Sequence, residues 1–563
     1  MIVEFKYRGQ SAITQGLDRA RMTFASNTIR EAAFFRGTLA RPLVLREALG
    51  ALHEVVTSDL KYRPRDRFAF QQWLEEQDRI FLAKLAMRRE DARVRVEELE
   101  ARRVELDLLR DARLAPFYER RRHYFDYVFK NQYELSFLFD PVISIHPDEI
   151  FFEAFSKDES SYARVGARYD VFEKIHELEC GTTNIDFSGK LAGEFDRMRT
   201  YRKTDLDVTP SGFGVKVGDA PEHHEKKIDL PDSWVNGFLQ VQSTMTMGLT
   251  RVRMTPVDLF NVLRFLRRRK ARTSPRAMRY ELVPGKPVKV VFEPWNHVIE
   301  LEAIFDGPKP QTVRTWGRDR LRVLGRLLPQ AQHVDVYLAG LGLPSVYIVD
   351  MGEVSFTLAL SGWTDNDWTG GAKFDLLTRR LNGTPEELML VYETLGKTQN
   401  GTDAELAQRT KLTVEKTRSV LSHLCQVGRA MYDLSTRKYR RRDLFLTPFT
   451  LKDAAKAVQP AQTETTKEAA GAHQIYAADN VRIIARRPFS QGFKLSGSAK
   501  GKDGNRVRPQ ITVNHEGQIV EGACTCSFFK SHQLTQGPCE HLLALRLAHM
   551  DRLAAEAKKG APS

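Results

Sequence analysis

The spacing of hydrophobic and polar positions changes several times along the chain, and each change marks an element or a boundary. Near the N-terminus VEFKYRG alternates as a short strand does, and LVLREALGALHEVV then repeats every three and four residues, as a helix does. Residues 66–113 contain no Pro or Gly and are dense in charge. Asp91 and Arg95, like Glu98 and Arg102, sit four apart, the spacing of ion pairs on a solvated helix face. One long charged helix or a helical hairpin is therefore expected there. Leu99 and Leu106 are a heptad apart, but Arg103 interrupts the seam. Residues 114–200 are rich in Phe and Tyr and are expected to pack that helix onto a core. These patterns predict a mostly helical N-terminal domain over 1–200.

Turn residues cluster from about 200 to 235, as at a domain junction. TPVDLFNVLRFLRRRKARTSPR then reads as a helix running into a basic tail. Four β-like runs follow, KVVFEPWNHVIELEAIF, HVDVYLAG, PSVYIVDMG and VSFTLALSGW. Residues 201–384 are thus expected to form a central α+β domain. Its most apolar stretch, Val334 to Val349, contains Asp335, Gly340, Gly342 and Pro344, so it predicts two buried strands and not a membrane span.

Over 385–450 the pattern is three short helices and a hairpin. PEELMLVYETLG is amphipathic, Thr402 is placed to cap DAELAQRTK, and Thr413 to cap VEKTRSVLSHLCQVGRAM. Val414, Thr417, Leu421 and Leu424 form the expected buried stripe of the third helix. Lys416, Arg418, Ser419, Ser422 and His423 lie opposite. After Gly428 the hairpin carries Arg437, Lys438, Arg440, Arg441 and Arg442. This segment resembles a winged helix-turn-helix. In that family the third helix enters the major groove and the wing contacts phosphates, which would make these ten residues nucleic-acid contacts. A winged helix used for protein contacts is the alternative.

The small, polar segment 451–472 is expected to be a linker, followed by a compact module over 473–550 and a tail over 551–563. The fold class predicted is multidomain α+β: a helical N-terminal part with a long charged helix, a central α+β unit, a winged helix and a small C-terminal module.

Composition sharpens this picture at two points. The 563 residues are 42% hydrophobic and 28% charged, a globular balance, and carry a formal net charge of +14. The surplus is local. Arg264–Arg279 holds eight basic residues and no acid, and residues 409–442 hold ten basic against two acidic. Such runs are solvated faces or strips that track a phosphate backbone, so the charge favours an acidic partner such as duplex DNA. The second point is cysteine. Of five in the chain, three fall within sixteen residues, which excludes a disulfide framework and points to a metal.

Those cysteines lie in ACTCSFFKSHQLTQGPCEHLLAL. Cys524 and Cys526 are two apart on an extended segment, so both project to one side. Cys539 and His541 stand at the start of a helix, whose positive end helps hold Cys539 as a thiolate. Three thiolates and an imidazole leave no coordination position for water, so one structural Zn²⁺ is expected. His532 and His549, the other imidazoles nearby, are expected at the surface, and Cys180 and Cys425 as ordinary buried thiols. The Cys-x-Cys…Cys-x-His spacing resembles the SWIM zinc finger, with a β-rich lead-in and an apolar helix after His541. By that match the ligands are Cys524, Cys526, Cys539 and His541. SWIM modules occur in remodeller-like ATPases, transposase-derived regulators and recombination accessory proteins, where they are linked to DNA or protein binding. The stretch LPSVYIVDMGEVSFTLALSGWTDNDW also resembles bacterial SWIM proteins of similar length, some encoded beside MoxR-type AAA ATPases and von Willebrand A-domain proteins.

No Walker-type phosphate loop occurs, so an ATPase would have to be supplied separately. Asp365 and Asp367, between two tryptophans, are the carboxylates a metal-dependent nuclease would use; a polar turn is the plainer reading. The N-terminus has no apolar core of the secretory kind. The sequence therefore predicts a cytoplasmic, non-enzymatic zinc adaptor with no membrane or small-molecule partner, binding DNA and a protein. Its alternatives are a protein-binding scaffold of a MoxR-type system without DNA, and third, a nuclease.

Overall fold

The computed structural model describes residues 34–58, 141–184 and 232–559, apart from 272–274, 341–342, 363–366, 370–372, 378–382, 446–447, 459–466, 490–491, 502–503 and 515–516. Outside these it describes strands at 4–6, 12–15, 19–25, 203–209 and 226–228, and helical positions 102, 105 and 106. The chain divides into two compact units, 1–61 with 139–563, and 62–138. The expected charged helix 66–113 lies outside the described residues except at Arg102, Glu105 and Leu106; the first two pair at 3.3 Å.

The architecture is mixed α+β, and no helix among the described residues is long and apolar enough to cross a membrane. Its larger unit is organised by an eight-stranded antiparallel sheet. In spatial order the strands are Thr250–Met254, His333–Leu338, Ser345–Asp350, Val354–Leu360, Ser161–Arg168, Glu149–Phe155, Val142–Ile145 and Gly181–Asn184. The join is Val354–Leu360 against Ser161–Arg168, with Leu358 opposite Ala163. A boundary expected at 200 is thereby overturned, because strands from both sides of it share one hydrogen-bonded ladder. The expectation of a mostly helical 1–200 is corrected too: its described residues are mainly strand, with one long helix, Pro42–Thr57. That helix buries Val44, Leu45, Ala48, Leu49, Leu52, Val55 and Val56, the three-and-four spacing seen in its sequence, and lies on the sheet. Its outer side is tied down by Arg326, which reaches Glu47 at 3.0 Å and Glu54 at 2.9 Å.

The strands Glu149–Phe155 and Ser161–Arg168 are buried on both faces, yet carry Glu149, Glu153 and Arg164. Register places Glu153 opposite Arg164 and Phe151 opposite Gly166, all on one face. A Cβ at Gly166 would stand 2.7 Å from the Arg164 guanidinium, so glycine leaves room for that side chain to fold over Phe151, 4.4 Å from the ring centre. Buried charges need partners. They come from the segment 385–458.

There the helices Pro385–Thr398, Asp403–Thr410 and Val414–Gln426 surround their own core of Leu388, Val391, Leu395, Leu406, Leu421 and Leu424. Thr384 and Thr402 each close a capping box, with Glu387 and Glu405, and Thr413 caps the third helix. Thr417, Leu421 and Leu424 are buried as the spacing predicts, but Val414 is exposed. In the first turn the helix has only begun to turn its stripe inward. Asn400–Gly401, Lys438–Arg441 and Ala430–Asp433 form a three-stranded sheet in that order.

This hairpin docks on the polar face of the large sheet. Arg440 reaches Asp148 at 2.7 Å, Glu149 at 2.8 Å and Asp433 at 3.2 Å. Arg164 pairs with Glu149 and with Asp433 at 3.2 Å. Arg442 holds both oxygens of Glu153, at 2.6 and 2.7 Å, and Glu153 also accepts from the Tyr162 hydroxyl at 2.5 Å. Burial works against the Asp433 carboxylate, but Arg164 and Arg440 outweigh it and hold its pKa well below the ordinary range. Burial raises Glu149.

Where a linker was expected over 451–472, Leu451–Val458 is a helix packed on Pro385–Thr398, and Lys467–Ala477 a helix packed on the C-terminal helix Glu540–Lys559. Only 459–466 lies outside the described residues. Ala454, Ala472 and Ile475 are buried, so small apolar side chains mark close helix contacts here and not a solvated tether.

Removing Arg442 strands a buried carboxylate. Arg442→Ala is expected to destabilise the large unit by about 3–5 kcal/mol, while the apolar pair Arg442→Met with Glu153→Leu recovers most of it; chemical denaturation of the three proteins measures this. His146 adds a pH dependence. Its burial, with Arg440 close by, pushes the imidazole down to about 3 from the ordinary 6.5. Between those values the unfolded chain binds a proton that the folded chain excludes, so stability falls as pH drops through that window. The denaturation midpoint is expected to decline across it, and less steeply in His146→Asn.

Candidate metal centre

The C-terminal module is a sheet of Val481–Phe489, Gly492–Lys500, Gln510–Asn514 and Ile519–Ala523, with Arg506–Val507 at its side, covered by the helix Glu540–Lys559. The last strand delivers Cys524. Cys526 caps the helix Ser527–His532, its Sγ accepting from the Phe529 N–H at 3.4 Å. Cys539 immediately precedes Glu540–Lys559, and its carbonyl accepts from the N–H groups of Leu542 and Leu543 at 3.1 and 3.2 Å. His541 sits in the first turn.

The donor atoms of Cys524, Cys526, Cys539 and His541 all lie within 4.8 Å of one another, and all four residues are buried. Neither ring nitrogen of His541 makes a hydrogen bond. Sulfurs around one tetrahedral ion at about 2.3 Å would stand somewhat under 4 Å apart, so this cage fits Zn²⁺ after small adjustment. The close approach of Cys539 draws the Cys524 and Cys526 thiols down, while the same contacts and burial push Cys539 up. Burial opposes charge on His541, but the two thiolates outweigh it and raise its pKa. A divalent cation relieves this crowding of negative charge and displaces the protons. With four protein ligands, it would serve structure.

This is the one group among the described residues that could hold a metal. Asp365 lies outside them, and Asp367 is half-buried. His549, expected at the surface, is instead fully buried against Phe493 at 5.0 Å, and burial pushes it down to about 4. Cys425 is a buried thiol and Cys180 is half-buried.

The ten residues assigned to nucleic acid fare differently. Ser419, Ser422, Arg440 and Arg442 are buried, the last two within the ion network, so none of the four can reach a phosphate; that assignment is corrected. His423 faces inward, and burial lowers its pKa. Lys416 pairs with Glu387 at 2.5 Å, Arg418 with Asp403 at 2.6 Å, Arg441 with Asp443 at 3.0 Å, and Lys438 approaches Asp148 at 3.9 Å. Arg437, at the hairpin tip, is exposed. The residues that sequence reasoning missed are Asp148, Glu149, Glu153 and Arg164. The signal for the three acids was a carboxylate every few residues inside the largely apolar run VISIHPDEIFFEAF; Arg164 lies in the next strand, outside it.

The module is not uncoupled from the large unit. Gly537 has φ +92°, and a Cβ there would meet the Lys373 carbonyl at 2.7 Å. Lys373 pairs with Glu468 at 2.6 Å, and Gln518 donates to the Thr246 carbonyl at 3.3 Å.

No family model matches the chain, and no curated protein matches it. Among solved structures it is similar to proliferating cellular nuclear antigen from Entamoeba histolytica, at 11% identity and TM-score 0.28 over 39% of this chain and 88% of that one. It is likewise similar to A. fulgidus PCNA bound to the C-terminal region of FEN-1, at 10% identity and TM-score 0.28 over 40% and 91%. A likeness at that TM-score says nothing about what this chain does.

A cleft of about 680 Å³ beside Cys526, Cys539 and His541 gives a chelator access. Cys539→Ala is expected to lower zinc content from one per chain to near zero by metal analysis. Because the module packs into the main core, metal loss should also lower the thermal midpoint of the large unit, not of residues 473–550 alone.

Proposed function

We propose that this chain is a cytoplasmic, non-enzymatic adaptor of the SWIM zinc-finger type that binds nucleic acid and a protein partner. The observation that carries the reading is the closed Cys524, Cys526, Cys539 and His541 cage at the spacing of that family. A full set of protein ligands supports structural zinc over a catalytic ion. The element order over 385–441, helix, strand, two helices and hairpin, supports a winged helix-like domain. Its commitment to buried pairs supports a docking role within the chain in place of groove reading. Nucleic acid remains the favoured partner because the net charge of +14 persists once the hairpin arginines are neutralised internally.

A protein scaffold for a MoxR-type AAA ATPase or a von Willebrand A-domain protein is the second reading, favoured by the same internal commitment of the hairpin. A titration of the zinc-loaded chain with labelled oligonucleotides at two salt concentrations separates the two. Binding that weakens steeply with salt is expected. Absence of binding at low salt, with zinc content intact, would leave the scaffold.

A further inference from the structure

The helix Pro256–Arg268 begins with a capping box, Thr255 with Asp258, and ends in a dense positive charge. Arg264, Arg267, Arg268, Arg269, Lys270 and Arg276 are all exposed. None of the six makes an ion pair among the described residues, unlike Arg440, Arg441 and Arg442 of the hairpin. A helix C-terminus accounts for one or two cations through its dipole, not for six. Like charges gather along this stretch with no ion-paired acid among the described residues, which favours a polyanion as the partner.

A second feature adjoins them. Phe265, between Arg264 and Arg267 on the same helix, stacks on His297 with ring centres 4.5 Å apart and planes 1° from parallel. Trp295 meets Phe265 edge-on at 5.6 Å. The guanidinium of Arg318 lies over Trp295 at 5.2 Å, and that of Arg269 over Phe265 at 5.9 Å. His297 is exposed, and Trp295 and Phe265 are half-buried. The result is a short aromatic stack ending at the surface, bordered by cations. Duplex DNA offers phosphates but keeps its bases stacked inside, whereas a single strand offers both phosphates and free base faces.

Resting on the reading of the chain as a nucleic-acid-binding adaptor, we propose that this surface binds single-stranded nucleic acid. Arg264, Arg267, Arg268, Arg269, Lys270 and Arg276 track the backbone, and His297 extends the stack to a base. Phe265 and Trp295 pack against the core, and an acidic protein would use the cations but leave the exposed His297 ring unused.

The test is fluorescence anisotropy with the full zinc-loaded chain, a labelled oligo-dT and a duplex of the same length, over a range of salt. Replacing Arg267, Arg268 and Arg269 together by Gln is expected to weaken oligo-dT binding about tenfold or more. The log–log salt slope should fall by about 2, at roughly 0.7 per lost phosphate contact. His297→Ala should weaken oligo-dT about fivefold and the duplex less, the loss of one stacked base. Lys452→Gln, exposed elsewhere, should change neither. Since all these side chains lie at the surface, thermal midpoints should stay unchanged. Wild-type affinity and slope in the triple variant would overturn the site while leaving the chain a nucleic-acid binder. Equal loss of both strands in His297→Ala, or no loss, would overturn the single-strand preference. Competition by polyglutamate as effective as oligo-dT would overturn it in favour of an acidic protein. Failure of the wild-type chain to bind either strand would overturn the adaptor reading itself.

Discussion

The structure depends on a small set of buried charges where the hairpin of 430–442 meets the large sheet. Arg164, Arg440 and Arg442 face Asp148, Glu149, Glu153 and Asp433, with most of these side chains closed to solvent. No member is stable there alone, because an unpaired buried charge costs several kcal/mol. The sheet strands supply Glu149, Glu153 and Arg164, and the turn before Glu149 supplies Asp148; the hairpin supplies two arginines and the fourth acid. Neither element can bury its own set without the other. Such a contact is specific in register and orientation, since a slip of one residue would turn Arg440 and Arg442 away from their carboxylates.

The same logic explains why the basic surplus divides as it does. Positive charge in the hairpin is mostly spent internally, where Arg440, Arg441 and Arg442 each find a carboxylate. Positive charge at the end of Pro256–Arg268 faces solvent with no ion-paired acid among the described residues. Two stretches that look alike in composition therefore differ in kind: one is a docking device, the other an exposed basic surface. The Cys524, Cys526, Cys539 and His541 cluster is a third case, in which three sulfurs are gathered at one point where a metal ion could complete the balance.

Much of the local structure was legible in the chain. Thr402 and Thr413 start helices because a hydroxyl there satisfies free N–H groups, an interaction within four residues. The cage was legible too, since Cys-x-Cys on a strand end and Cys-x-His at a helix start carry their geometry in their spacing. The segment 451–472 misled because Ala-rich, weakly patterned sequence suits both a tether and a helix packed through small side chains. Val414 misled because a helix stripe need not begin at the first residue. His549 misled because an imidazole is polar in composition but packs readily as a ring against Phe493.

What the sequence determined by itself was therefore everything set by neighbours in the chain: caps, strand alternation, the metal ligands and the location of basic runs. What only the tertiary structure decided was which charges face water. Arg440 and Arg268 are indistinguishable as residues in a basic run. One lies 2.8 Å from a glutamate nearly 300 positions away, and the other has no acid within reach among the described residues. The reason is physical: an ion pair is fixed by distance in space, and chain spacing constrains that distance only over a few residues.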